Sequence, residues 1–144
     1  MISPELWRGE VIAMCGIAGY VGRSLVDPEQ RKKVLTDMMD MIVHRGPNSA
    51  GQFIDDTAAL GFRRLSIIDL EGGSQPIYNE QRDKVITFNG EIYNFPALRK
   101  TLIEAGHTFS TKADTEVILH GYEEWGSDVV KKLRGMFSFV IYDT

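Results

Sequence analysis

The chain has 144 residues, 43% of them hydrophobic, and a formal net charge of -4, which bounds it to about one domain with enough apolar material for a core. The acidic balance argues against nucleic acid or an anionic membrane as partner, and no apolar run approaches the roughly 20 residues of a membrane span. The one cysteine, Cys15, excludes an internal disulfide and fits a reducing cytoplasm.

Residues 1–13 have neither the charged start nor the continuous apolar stretch of a signal peptide, so residues 1–14 read as a leader or a mis-assigned start. Gly16 to Val21 is small and β-branched, the pattern of a first core strand. Asp27-Pro28-Glu29-Gln30 predicts a helix start with Asp27 as N-cap, and Val34, Leu35, Met38, Met39 and Ile42 continue it at helical spacing to about Val43. Gln52 to Ile54, Ala58 to Arg64 and Ile67-Ile68 read as short strands, and Lys84 to Phe88 as another that breaks at Asn89-Gly90. A helix is expected from about Pro96, with Leu98, Leu102 and Ile103 inward and Gly106 at its C-terminal cap. Thr108 to Thr111 reads as a short strand, Asp114-Thr115 as the start of an amphipathic helix, and Asp128 to Leu133 as a second short helix. Met136 to Tyr142 has the near-continuous apolar run of a strand buried on both faces. Because that run ends at Thr144 with no cap or turn, the expectation is a C-terminally truncated domain, poorly soluble or oligomeric by itself. Periodicity alone gives the class as α+β.

Several positions could carry chemistry, each with a bland reading beside the functional one. Cys15 is a nucleophile only with a base at hand, and no histidine or carboxylate is adjacent in sequence. Were Cys15 the first residue, its own α-amine, with a reference pKa of about 7.7 to 8.0, would serve; otherwise a lone strand cysteine is core. Asn89-Gly90 is the strongest short hairpin signal in the chain, or else a side-chain amide and an unshielded N–H forming an oxyanion hole. Asp114 is by default an N-cap, or a carboxylate for a substrate ammonium group. Arg64 is a solvated strand residue or a clamp for a substrate carboxylate. His44-Arg45-Gly46-Pro47 reads as a helix-ending turn. No dinucleotide fingerprint or P-loop occurs. His44, His107 and His120 lack partners at zinc-site spacing, so no metal site is expected, and His107 and His120 read as surface or satisfied core histidines.

Taken together, Met14-Cys15-Gly16-Ile17-Ala18-Gly19, His44-Arg45-Gly46-Pro47, Arg64-Leu65-Ser66-Ile67-Ile68-Asp69, Gln75-Pro76, Asn89-Gly90-Glu91-Ile92-Tyr93-Asn94, Asp114-Thr115-Glu116-Val117 and Gly135-Met136-Phe137 resemble the class II glutamine amidotransferase domain of glutamine-hydrolysing asparagine synthetases. The resemblance runs from Met14 to Thr144, with residues 15–144 as the amidotransferase domain. It implies an N-terminal-nucleophile hydrolase fold, a four-layer αββα sandwich of two antiparallel sheets. It also implies hydrolysis of L-glutamine to glutamate and ammonia through a thioester on Cys15, with Asn89 and Gly90 as oxyanion hole. Arg64 would bind the substrate α-carboxylate, Asp114 and Glu91 its α-ammonium group, and the backbone at Ile67 and Ile68 would line the pocket. The implied partners are glutamine and a synthetase domain or subunit that receives ammonia, a homodimer being left open. No cofactor is expected in this domain, since ATP and magnesium would belong to the synthetase part, whose Ser-Gly-Gly-type loop does not occur here.

The sequence departs from the family pattern in its first residues, where thirteen precede Met14 and deny Cys15 a free amine as long as they are attached. Phe62 stands where the family commonly has histidine, and Asn48 where aspartate usually follows Arg-Gly-Pro. An inactive remnant or interaction module of the same fold is the alternative reading, and another amide hydrolase of this fold a third.

Overall fold

The structure, a computed structural model, describes residues 15–23, 27–65 and 74–144. Its elements run β1 (Gly16–Val21), α1 (Pro28–Met41), β2 (Ser49–Ile54), β3 (Ala58–Arg64), β4 (Ile77–Tyr78), β5 (Lys84–Ile92), α2 (Phe95–Glu104), α3 (Thr115–Trp125), a 3-10 helix (Gly126–Lys131) and β6 (Gly135–Asp143). They form two antiparallel sheets, ordered β1-β3-β2 and β4-β5-β6.

Each sheet carries helices on one face and meets the other sheet on its second face. Asp27 caps α1 by accepting the Glu29 amide at 3.1 Å. The Leu35 and Met39 stripe of α1 is fully buried against Ala59 of β3, flanked by Ala18, Tyr20 and Ile54. Gly61 lets the stripe approach closely: a Cβ would stand 2.5 Å from the Met39 sulfur, so Met39 would have to shift to make room. Strand alternation turns the next set, Ile17, Gly19 and Leu60, the other way. These residues border a cavity of about 180 Å³ with Thr87 of β5 and Val140 of β6. The far face of the second sheet, Ile86, Phe88 and Ile92, packs on Ile118, Leu119, Val129 and Leu133 of the third helical segment and its extension. Burial of each such side chain contributes about 1.5–3 kcal/mol, and the result is the four-layer sandwich the resemblance implies.

The structure corrects the sequence reading at several places. β5 does not break at Asn89-Gly90; it runs unbroken to Ile92, because β6 pairs with it along its whole length, Asn89 opposite Ser138 and Gly90 opposite Phe137. Thr108 to Thr111 is no strand, its amides being taken by a side chain, described below. Ile103 is 51% exposed: α2 meets its neighbours through Leu98 and Leu102, one turn apart, and the next residue turns outward. Only the helix side of β6, Phe137, Phe139 and Ile141, is packed into the core. On its other side Met136 is 63% and Val140 40% exposed, since β5 is the one strand paired with β6 among the described residues. The expected strand at Ile67-Ile68 lies outside the described residues. No helix among them is long and apolar enough to cross a membrane.

Candidate active site

Cys15 stands immediately before β1, half-buried. Its sulfur accepts the Leu65 amide at 3.3 Å and lies 3.7 Å from the Leu65 carbonyl. The loop after α1 holds it from behind: Arg45 Nε donates to the Cys15 carbonyl at 3.4 Å. Gly46 lies directly on β3, so that a Cβ would come within 2.4 Å of the Arg63 carbonyl group. His44-Arg45-Gly46-Pro47 is therefore more than a turn; it holds the end of β3 and Cys15 beside it. Arg64 closes β3 at the same end, its carbonyl accepting the Asn48 amide at 3.0 Å.

Asn89 and Gly90 lie within β5. Asn89 shares its strand face with Thr87, the side that looks toward the first sheet. Gly90 has φ of 149°, in the region reserved for glycine, and a Cβ there would stand 2.1 Å from the Met136 carbonyl oxygen. The residue before them is gripped by a side chain: Gln75 donates to the Phe88 carbonyl at 3.0 Å and accepts the Phe88 amide at 2.5 Å. The Gln75 backbone also lies against β2, where a Cβ on Gly51 would meet its carbonyl oxygen at 1.8 Å. Gln75 thus joins the two sheets next to Asn89. Nothing local to Gln75-Pro76 in the sequence marks this bridging role.

Asp114 does not cap α3 with its side chain. Its Oδ2 accepts the Ile92 amide at 2.9 Å, which brings it beside Glu91 at the end of β5. Burial pushes the Asp114 carboxyl above its usual pKa, the Ile92 amide opposes this, and the Glu91 charge adds to the rise. Two carboxylates drawn together with one half-desolvated favour a cationic occupant. Ile67 and Ile68 lie outside the described residues. Asn94 ties the region to the segment just before β6, donating to the Lys132 carbonyl and accepting the Arg134 amide, both at 2.9 Å.

Sequence reasoning missed the role of Glu116. Its two oxygens accept from the amides and hydroxyls of Ser110 and Thr111 at 2.6–2.9 Å, folding residues 108–111 over the start of α3. Burial alone would raise its carboxyl, but the His120 ring, the Thr111 hydroxyl and the two amides outweigh it and hold the pKa at about 2. His107 and His120 come together as well, with ring centroids 5.2 Å apart. The local signal was the Asp-Thr-Glu opening of α3; the spacing between the histidines carried none.

The family profile of the glutamine amidotransferase domain matches residues 14–144. The chain belongs to the glutamine amidotransferase domain family. The domain is 46% identical over 131 residues to asparagine synthetase [glutamine-hydrolyzing] 1 of Bacillus subtilis, a match covering 90% of this chain and 21% of that protein. It is 45% identical to asparagine synthetase [glutamine-hydrolyzing] 1 of Arabidopsis thaliana, over 91% of this chain and 22% of the relative. For asparagine synthetase B of Escherichia coli the figures are 42%, 91% and 23%. This amidotransferase domain therefore spans about a fifth of the length of these relatives. Among solved structures, glutamine phosphoribosylpyrophosphate amidotransferase from B. subtilis, with ADP and GMP, superposes with a TM-score of 0.51 at 23% identity, over 62% of this chain and 22% of that one. A second solved structure, an allosteric regulatory enzyme of purine biosynthesis, gives 0.50 at 24% identity over the same shares. These likenesses bear on the fold, which is the N-terminal-nucleophile type.

Proposed function

We propose that this amidotransferase domain hydrolyses L-glutamine and supplies the ammonia for ATP-dependent amidation of aspartate by a synthetase region of the kind its relatives' names describe. The observation that carries the reading is the position of Asn89-Gly90. An Asn-Gly pair is ordinarily a hairpin turn, yet here it lies inside a paired strand with Gly90 at φ of 149°. The ordinary structural reason for the pair is gone, and an amide donor beside an unshielded glycine N–H remains.

In the proposed reaction the Cys15 thiolate attacks the side-chain amide carbon of glutamine. Asn89 Nδ2 and the Gly90 N–H receive the charge that develops on the carbonyl oxygen. The tetrahedral intermediate collapses with loss of ammonia, which takes its third proton from the Cys15 α-ammonium group, and leaves a glutamyl thioester. Water then attacks the thioester, the α-amine accepts its proton, and glutamate departs as the thiol is restored. Arg64 holds the substrate α-carboxylate, while Asp114 and Glu91 hold its α-ammonium group. No step requires a cofactor in this domain; ATP and magnesium belong to the synthetase region.

The α-amine exists only in a form that begins at Cys15. The test compares glutamate release at neutral pH by a form beginning at Cys15, by the 144-residue chain and by Cys15→Ala. Activity confined to the first supports the reading. Equal activity in all three refutes it, and none in any favours the non-catalytic alternative.

A further inference from the structure

Away from these residues, the middle of α3 and the loop after α2 form a second polar centre. His120 and Glu123 are one turn apart on α3, and His107 reaches them from the loop. One ligand-type atom from each of the three lies within 4.8 Å of the other two. Glu123 Oε2 is the meeting point, 2.8 Å from His120 Nδ1 and 3.6 Å from His107 Nδ1. The ligand atoms of a tetrahedral zinc ion with bonds of about 2.0–2.1 Å stand about 3.3 Å apart, between those two separations.

The groups around the three are arranged as supports of a metal site are. Glu123 Oε1 accepts the Asn79 side-chain amide at 2.7 Å, which turns Oε2 toward the histidines. His107 Nε2 is 3.2 Å from Glu124 Oε2, leaving Nδ1 for the centre. His120 is 1% exposed, and its Nε2 faces Glu116 Oε1 at 3.5 Å and Glu80 Oε1 at 3.9 Å, which leaves Nδ1 for the centre. His120 Nδ1 and Glu123 Oε2 stand 2.8 Å apart, so the ring nitrogen and the carboxylate oxygen point at the same place. Among the described residues every ion pair of Glu116, Glu123 and Glu124 is with a histidine, so no lysine or arginine competes with a metal ion for these carboxylates.

We propose that His107, His120 and Glu123 bind one divalent transition-metal ion, zinc by the chemistry of a two-imidazole, one-carboxylate donor set, which staples the loop after α2 onto α3. His107 and Glu123 have side chains 17% and 16% exposed, so an ion can reach the centre. The binding contributes to folding because the three ligands meet only in the folded chain.

The test is titration of the 144-residue chain, carrying Cys15→Ala to remove thiol binding, first with Zn2+ by calorimetry and then with Co2+ by visible absorption. One equivalent of Zn2+ bound, a tetrahedral Co2+ spectrum and a raised melting temperature are expected. His107→Ala abolishes all of these, and Glu124→Gln, at a more exposed position, weakens the affinity about 10- to 100-fold. Far-UV circular dichroism checks that both variants are folded. The proposal fails if Zn2+ binds the parent no more tightly than folded His107→Ala, or if Glu124→Gln leaves the affinity unchanged. None of these readouts depends on glutamine, so they stand apart from the test of the proposed hydrolysis.

Discussion

Asn89 has its side chain on the inter-sheet side of β5 and its neighbour Gly90 in a conformation only glycine tolerates. If the pair stabilises the oxyanion, Asn89→Ala removes one donor that is felt mainly in the transition state, at a cost of about 2.7–4 kcal/mol, or 10²- to 10³-fold in kcat. Binding of glutamine to a form beginning at Cys15 should change little, because the ends of the substrate are held elsewhere. Steady-state kinetics with a direct glutamine Kd would check this; an unchanged kcat rules the role out. In the proposed reaction Asp114 serves the other end of the substrate. Its carboxyl, pushed upward by burial, accepts the Ile92 amide, so the proposed ligand group is also the one that holds the end of β5.

Among the elements, the start of α3 is held by an unusual inversion. The helix's own N-cap residue turns away to β5, and Glu116, in the first turn, binds the preceding loop through four hydrogen bonds. Its pKa of about 2, against a reference of 4.5, makes this a pH-dependent contribution. A carboxyl lowered on folding stabilises fully above its unfolded pKa and loses the contribution as pH falls through the folded value. Glu116 should therefore contribute about 3 kcal/mol near neutrality, fading between about pH 5 and pH 2. Urea unfolding across that range should show a slope that Glu116→Gln flattens. The same elements show what the sequence could disclose. Asp27-Pro28 named the start of α1 because capping is local, and Leu35 and Met39 named its buried face because helical periodicity is local. Asn89-Gly90 misled because the pairing of β5 with β6, which overrides the turn, joins residues about fifty positions apart. Glu116 and the histidine pair were illegible for the same reason: their partners are set by how a loop folds back on a helix. Cys15, Arg64 and Asp114 could be singled out only because they recur together in a resemblance; chemistry alone left each with a bland alternative.

At the scale of the molecule, the residues of the proposed reaction are divided between layers. Cys15, next to the start of β1, and Arg64 of β3 stand at the first sheet, while Asn89, Gly90 and Glu91 belong to the second. Gln75 bridges the two beside Asn89. Gln75→Ala strips the Phe88 amide and carbonyl of their partners, which should cost about 1–3 kcal/mol of stability. It should also lower kcat of a form beginning at Cys15 by about 10²-fold, the penalty expected for an ångström of misplacement. Unfolding and kinetics measured on one preparation would decide it: a stability loss with kcat intact would mean that Gln75 supports the fold and does not set the site. The space of about 180 Å³ between the sheets is bordered by Ile17, Gly19 and Leu60 on one side and by Thr87 and Val140 on the other. Any sliding of one sheet on the other therefore reshapes this space and changes the separation of Cys15 from Asn89 together, so a ligand or substitution that fills it should be felt at both.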